Sequence, residues 1–453
     1  MNEGFDQATI FTPATAPGRA GIAVIRLSGM AAGAALAALA GDLPPPRRAS
    51  RRRLRAPHGG PVLDHALVLW FPGPASYTGE DAAELHLHGG PAVVAAVIDA
   101  LATVPGLRPA EPGEFTRRAF YNGTLDLTAV EGLADLIAAE SEAQRRQALR
   151  QLDGVLGALY DGWRADLGRA LAHVEAAIDF SDEDLPDTLV EQLGHTIGNV
   201  SGAVTQHLDD NGRGERLRDG LFVAIVGAPN VGKSSLLNRL ARRDAAIVSD
   251  LAGTTRDVIE VHLDLGGLPV TVADTAGLRD GVEHSTDADP IEAEGMRRSL
   301  ARAGSADLKI AVFDAGAWPD TDDRTRALVD DRTLVAVNKV DRAPLPAAAA
   351  LEHHPVWPLS CTTGYGLDDF VAALGHAAAA RLQPAGTPAL TRSRHRAALT
   401  DCAEALARYP LAAAPELGAE ELRLAMRALG RITGRVDVED LLDVIFAEFC
   451  IGK

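Results

Sequence analysis

Residues 227–234 read GAPNVGKS, the spacing G-x-x-x-x-G-K-S, between the apolar run FVAIV and the helical-looking SLLNRLAR. In that setting glycines let backbone N–H groups curl around phosphate oxygens at a helix N-terminus. Lys233 is then expected to reach the β- and γ-phosphates, and Ser234 to offer its hydroxyl to Mg²⁺. DTAG at 274–277 ends a strand-like run, so Asp274 is placed to hold Mg²⁺ through water and Gly277 to sense the γ-phosphate. NKVD at 338–341 also follows such a run. A carboxylate at Asp341 can accept two N–H bonds from guanine, whose N1–H and N2–H₂ are a donor pair that adenine lacks. SCT at 360–362 can complete the base pocket, and Thr255 within GTTRD is placed as the switch threonine that joins Mg²⁺ when the γ-phosphate is present. The order and spacing of these runs predict a Ras-like P-loop GTPase module.

The water-orienting group is less direct. Ras-type proteins place a glutamine just after the DxxG glycine. Here that residue is Leu278, which has no polar group. Acidic candidates follow at Asp280, Glu283, Asp287, Asp289, Glu292 and Glu294, most of them expected on a solvated face. Asn230, inside the phosphate loop, either bonds within the loop or lends its side-chain carbonyl to a monovalent cation that neutralises charge where an arginine finger would.

The elements that must carry these groups follow from hydrophobic periodicity. GIAVIRLSG (21–29) and HALVLWFPG (65–73) read as strands, and Ala92 to Leu101 as a helix, giving a small α+β domain over 1–121. From 122 to 217 apolar residues recur at three- and four-residue spacing, which predicts helices only, broken at DEDLPDT (182–188). From 218 to 381 short strands alternate with helices, and LDLGGLPV (263–270) suggests a hairpin turning at Gly266-Gly267. From 382 to 453 the pattern is helical again. The economical arrangement is one discontinuous helical domain, 122–217 with 382–453, into which the α/β module is inserted.

Three cysteines, Cys361, Cys402 and Cys450, are too few for a disulfide framework and favour a reducing compartment, the cytosol. No apolar run is long enough to span a bilayer, and MNEGFDQATIFTP lacks the form of a signal peptide. The net charge of −18 opposes broad nucleic-acid binding, so any RNA contact needs a local basic patch or a partner. RRASRRRLRAPHGG (47–60) is such a patch, or otherwise a solvated loop. His86 and His88 alternate on a presumed strand and are expected to be structural, since no further metal-ligand spacing accompanies them. Cys450 lies fourth from the C-terminus. The prenylation pattern fails there, because Gly452 is not aliphatic and Lys453 is a poor final residue.

Runs along essentially the whole chain resemble one family, the bacterial MnmE (TrmE) tRNA-modification GTPases. They are APGRAGIAVIRLSG, YTGEDAAELHLHGGP, EPGEFTRRAFYNGTLDL, GAPNVGKSSLLN, DLAGTTRDVIE, DTAGLR, NKVD and FCIGK. The resemblance implies a folate-binding and dimerising N-terminal domain, a helical domain and an inserted G domain. It implies GTP contacts from Asn230, Val231, Gly232, Lys233, Ser234 and Ser235, from Ser249, Asp250, Leu251, Ala252, Gly253, Thr254 and Thr255, and from Asp274, Thr275, Ala276 and Gly277. The base side is implied to be Asn338, Lys339, Val340, Asp341, Ser360, Cys361 and Thr362. K⁺ would be held by Asn230, Ser249, Leu251 and Thr254, and Mg²⁺ by Ser234 and Thr255. The family's water-orienting glutamate precedes an E-x-x-G run, which here is Glu292 to Gly295, with Glu283 the alternative.

The implied reaction adds a carboxymethylaminomethyl or aminomethyl group at C5 of a wobble uridine in certain tRNAs. The implied one-carbon donor is a 5,10-methylene- or 5-formyl-tetrahydrofolate. Partners implied are a second copy of the chain, tRNA, and MnmG (GidA), which brings FAD, in a heterotetramer; no membrane is implied. The folate pocket would use Arg26, Glu84, Thr124 (where the family often has lysine) and Lys453, with Cys450 as a catalytic thiol nearby. Competing expectations are a regulatory switch, for example in ribosome assembly, and a folate-binding module with incidental GTPase activity.

Overall fold

The computed structural model describes residues 8–179, 187–243, 260–274, 303–346, 349–382, 388–409, 414–436, 442, 443, 445, 446, 449 and 452. Two compact units form. One combines Met1–Ala134, Gln151–Ala172 and Leu422–Lys453; the other combines Asp135–Arg150 and His173–Glu421.

In the first unit β1 (Thr9–Pro13), β2 (Ile22–Ser28), β3 (Ser50–Arg55), β4 (Val62–Phe71), β5 (Ala82–His88) and β6 (Leu107–Pro109) make one sheet in the order β3-β4-β5-β2-β1-β6. Only the β1–β6 pair is parallel. Strict alternation in IAVIRLS buries Ala23, Ile25 and Leu27, and leaves Val24 and Arg26 on the other face. Helices α1 (Ala32–Ala40) and α2 (Pro91–Ala102) cover the buried face, in a core with Ile25, Leu54, Val68, Leu85 and Leu87. Pro91 is the first residue of α2, where its missing N–H has no intrahelical partner to lose. Residues 50–55 are therefore an edge strand rather than part of a solvated loop, held to β4 from Ser50↔Val68 to Arg55↔Val62 with a register shift at Leu54/Arg55.

Helix α3 (Glu114–Tyr121) follows and brings Arg118, only 1% exposed, into the unit's interior. Its guanidinium donates to Glu80 Oε2 (3.1 Å), Glu114 Oε1 (2.9 Å) and the Ala8 carbonyl (2.9 Å). Arg108 forks onto both oxygens of Glu114 at 2.7 and 2.8 Å. Burial alone would raise the Glu114 pKa; the bonds from Arg108, the Glu111 N–H and Arg118 outweigh it and hold the carboxyl below its ordinary value. From the C-terminal stretch, Phe446 and Phe449 join Leu127 and Val130 in a small core, and the Arg117 guanidinium lies 5.1 Å from the Phe446 ring centre.

Helices α4 (Leu127–Ala138), α5 (Glu142–Leu152), α6 (Val155–Asp179), α7 (Asp187–Leu208) and α8 (Arg213–Asp219) make up the predicted helical stretch, with α12 (Ser393–Arg408) and α13 (Pro415–Thr433) near the other end of the chain. The DEDLPDT break falls largely outside the described residues.

The second unit holds a seven-stranded sheet of β7 (Leu221–Val226), β8 (Glu260–Asp264), β9 (Pro269–Asp274), β10 (Leu308–Asp314), β11 (Thr333–Asn338), β12 (Ala350–Leu351) and β13 (His354–Pro358). The order is β12-β13-β11-β10-β7-β9-β8, parallel except for β8 and β12 at its edges. That is the doubly wound pattern of a P-loop GTPase module. Helices α9 (Lys233–Ala241), α10 (Asp323–Arg326) and α11 (Leu367–Leu382) are its described helices. The β8–β9 turn is the expected two-residue one: Leu265 N–H donates to the Leu268 carbonyl at 2.9 Å, with φ of 66° and 88° at Gly266 and Gly267. Positive φ at both central residues is what a type I′ hairpin requires. Asp135 Oδ1 accepts from Arg218, at the start of the module, at 3.1 Å and from Arg392, in the helical stretch after it, at 2.7 Å.

Candidate functional site

The phosphate loop leaves β7, turns through Asn230 at φ 64° and enters α9 at Lys233. Lys233 is buried and its Nζ donates to the carbonyls of Gly227 and Ala228, both at 2.9 Å. Burial pushes its pKa down, against the attraction of Asp274. Ser234 Oγ donates to Asp274 Oδ2 at 2.6 Å, so the end of β9 and the start of α9 bring a hydroxyl and a carboxylate together. Two adjacent hard oxygen donors suit Mg²⁺ rather than a soft metal. Gly232 (φ 103°) admits no side chain: a Cβ there would stand 2.2 Å from Asn338 Nδ2.

The base side is tied to the phosphate side by Asn338. Its Nδ2 donates to the Val231 carbonyl at 2.9 Å and its Oδ1 accepts from Cys361 N–H at 3.0 Å. Lys339, at φ 68°, donates from Nζ to the Asn230 carbonyl and to Asp314 Oδ2, both at 2.7 Å. Asp341 is exposed, and its charge is felt at the Cys361 thiol. Burial is the main reason that thiol is raised to about 11, which keeps Cys361 a neutral thiol in the pocket wall. Val231 and Ser360 are buried, whereas Ser235 and Thr362 are exposed.

Two contributors escaped the motif reading. Asp314 ends β10 in VFDAG and receives Lys339. Arg239 in α9 donates to the carbonyls of Cys361 (2.6 Å) and Thr362 (2.5 Å), fixing the base loop from the phosphate-loop helix. The acidic residue closing a parallel strand was the available signal for Asp314. Arg239 had none, because its partners are more than 120 residues away.

In the first unit Arg26 and Glu84 pair across β2 and β5, with Arg26 Nη2 and Nε at 3.0 and 3.2 Å from Glu84 Oε1. His86 Nε2 lies 3.1 Å from Glu84 Oε2. Burial would raise the Glu84 pKa, but the His86 and Arg26 contacts prevail and lower it, so the group stays a carboxylate. The Arg26 guanidinium is 5.4 Å from the Tyr77 ring centre and 5.9 Å from that of Phe115. Tyr77 Oη bonds Thr116 Oγ1 at 2.8 Å. Thr124 Oγ1 reaches the carbonyls of Tyr77 (3.0 Å) and Ala119 (2.8 Å), bracing the loop that carries Tyr77. His88 bonds Asp64 instead, Nδ1 to Oδ1 at 2.7 Å.

Gly452 lies against the end of β1, where an added Cβ would meet the Pro13 carbonyl at 2.6 Å. Thr12, the residue before Pro13, pairs with Arg26 in the sheet.

Ser249, Asp250, Leu251, Ala252, Gly253, Thr254, Thr255, Thr275, Ala276, Gly277, Glu283, Glu292, Cys450 and Lys453 lie outside the described residues. Among the described residues no helix is long and apolar enough to cross a membrane, and no cluster of three or more metal-ligating side chains occurs.

The family model described as the MnmE helical domain matches residues 127–450, and that described as the GTP-binding protein TrmE N-terminus matches residues 9–124. The protein named tRNA modification GTPase MnmE in Paramagnetospirillum magneticum is 58% identical over 446 residues, covering 98% of this chain and 99% of its own. Its namesake in Rhodospirillum rubrum is 58% identical over 457 residues, with 98% and 99% covered. That of Gluconacetobacter diazotrophicus is 55% identical over 451 residues, with 99% of each chain covered.

Proposed function

Because the chain belongs to the MnmE family of tRNA modification GTPases, we propose that it hydrolyses GTP in a K⁺-dependent reaction and, with MnmG, adds a carboxymethylaminomethyl or aminomethyl group at C5 of the wobble uridine of certain tRNAs. The one-carbon unit comes from a tetrahydrofolate, and MnmG supplies FAD. Family membership sets aside the ribosome-assembly switch and the folate module with incidental GTPase activity. The single observation that carries the hydrolytic half is the joining of Ser234 to Asp274 at 2.6 Å beside a buried Lys233.

The chain's own residues divide the work. Lys233 exchanges its two loop carbonyls for the β- and γ-phosphate oxygens. Asn338 and Arg239 hold the base loop against the phosphate loop, so that guanine recognition by Asp341 and phosphate binding are set in one frame. Ser234 and Thr255 would hold Mg²⁺, with Asp274 acting through water, and Asn230, Ser249, Leu251 and Thr254 would hold K⁺. When bound, the two cations supply positive charge against the oxygens of the transferring phosphoryl group. Glu292 orients the attacking water, with Glu283 as the alternative. Exchange of K⁺ for Na⁺ is expected to slow phosphate release by at least about tenfold. Equal rates in the two salts would remove the cation role from Asn230.

Arg26, Glu84, Thr124 and Lys453 form the tetrahydrofolate site. A carboxylate kept ionised at Glu84 matches the paired N–H donors of a pterin ring. The contact of Gly452 with Pro13 supports a C-terminal segment that brings Lys453 and Cys450 to this site. The domains are 1–121, 122–217 with 382–453, and the G domain 218–381, the protein acting as a cytoplasmic homodimer. Nucleoside analysis of tRNA from a deletion strain tests the whole reading: this chain is expected to restore the modified uridine. Cys450→Ser is expected to keep GTP hydrolysis nearly unchanged and fail to restore it. Normal tRNA from the Cys450→Ser strain would reduce that thiol to packing.

A further inference from the structure

We infer that edge strand β3 and the turn before it are the surface on which the tRNA phosphate backbone docks. The inference rests on the reading that the chain acts on tRNA. Six arginines, Arg47, Arg48, Arg51, Arg52, Arg53 and Arg55, fall within nine residues, with no acidic residue between Asp42 and Asp64. This happens in a chain with 62 acidic residues against 44 lysines and arginines. All six are exposed except the half-exposed Arg52. Elsewhere arginines find carboxylates, as Arg26, Arg108, Arg118 and Arg396 do. Among the described residues none of these six is in an ion pair; Arg47 donates to the Ala75 carbonyl, Arg52 to that of Arg51 and Arg55 to that of Gly60. Like charges crowded without counter-charges repel one another, and a polyanion relieves that repulsion while releasing its own counterions.

The strand also has the right placement. Arg51 pairs with Leu67, Leu67 with His86, Leu69 with Glu84, and Glu84 with Arg26. Directly paired residues share a face, so Arg51 and Arg53 stand on the same sheet face as Arg26 and Glu84. Alternate residues repeat about every 7 Å along β3, and β2 lies about 14 Å away across β4 and β5. A nucleotide chain following β3 therefore runs beside the Arg26–Glu84 site, within reach of a base turned out from it. Arginine's planar fork suits phosphate better than lysine's point charge. Charges on an edge strand also discourage sheet-to-sheet pairing, but that role gives no reason for Arg47 and Arg48, which precede the strand.

The test uses the full chain and unmodified tRNA, titrated by fluorescence anisotropy from 50 to 200 mM KCl. R51A/R53A/R55A is expected to weaken binding at least about tenfold and to flatten the slope of log affinity against log salt by about 3, one per lost phosphate contact. R51K/R53K/R55K is expected to keep most of the slope, and GTP hydrolysis is expected to be unchanged in both. Unaltered affinity and slope in a folded R51A/R53A/R55A chain overturn the proposal. So does a parent chain without salt-dependent tRNA binding. So does a variant that keeps its tRNA affinity but loses self-association in sedimentation, or binding to phosphatidylserine vesicles. If R51A/R53A/R55A also restores the modified uridine in a deletion strain at the parent level, the docking surface fails while the proposed reaction stands.

Discussion

Asp341→Asn is expected to bind GTP about 100- to 1,000-fold more weakly, while a nucleotide whose base carries a second carbonyl in place of the guanine amine, xanthosine triphosphate, gains affinity. The carboxylate offers two acceptors to two guanine N–H donors. An amide offers one acceptor and turns an N–H₂ toward the other donor. Losing one charge-assisted bond and leaving one donor unmatched together cost about 3–4 kcal/mol. Asp341 is exposed, so the substitution leaves the core of the module untouched. Its neighbours stay in place because Asn338 bonds Val231 and Cys361, and Lys339 bonds Asn230 and Asp314, none of which involves the Asp341 side chain. Titration with a fluorescent guanine nucleotide, competed by each triphosphate, reads the effect. Undiminished GTP affinity would take Asp341 out of the base pocket.

The second large effect is on stability. Glu114→Ala removes the carboxylate that receives both Arg108 and Arg118, and Arg118 is only 1% exposed. The loss costs about 3 kcal/mol, because buried Arg118 is left with Glu80 as its one carboxylate and Arg108 loses the carboxylate it forks onto. For a unit of this size that lowers its melting transition by about 6–12 °C. Glu142→Ala is the contrast. Its carboxylate also meets two arginines, Arg145 and Arg146, but in open solvent, and its removal is expected to leave the transition in place. The pH dependence has a definite sign. The Glu114 pKa is lowered in the folded chain from an ordinary 4.5. Its contribution is therefore present above about pH 4.5 and is lost as pH falls through the folded value. The gap between parent and Glu114→Ala melting temperatures should narrow on acidification below that point. A gap that widened there would show that the carboxylate is not ionised in the fold.

How much of this was legible in the residues depends on the range of the interaction. The phosphate loop, the strand-ending Asp274, the NKVD run and the Gly266-Gly267 turn are local, and each stands where its spacing put it. Strand β3 was not legible as a strand. Its alternation is of arginines, with Leu54 the one residue facing the core, so no apolar period announces it; pairing with β4 decides the matter. The buried cluster around Arg118 joins residues from Ala8 to Glu114, and Arg239 reaches across the module to Cys361. Such pairs are set by tertiary packing, which no window of sequence displays. The same holds for Thr124: its hydroxyl braces the Tyr77 carbonyl, a contact visible only once the loop is folded.

One carboxylate oxygen, Asp135 Oδ1, receives the arginine that opens the G module and an arginine that follows it. The two crossings of the chain therefore lie no farther apart than two arginine side chains can span. In genetic terms such a module is a cassette. A single in-frame excision between Arg218 and Arg392 leaves ends that a short linker rejoins, with little loop-closure cost to the helices that remain.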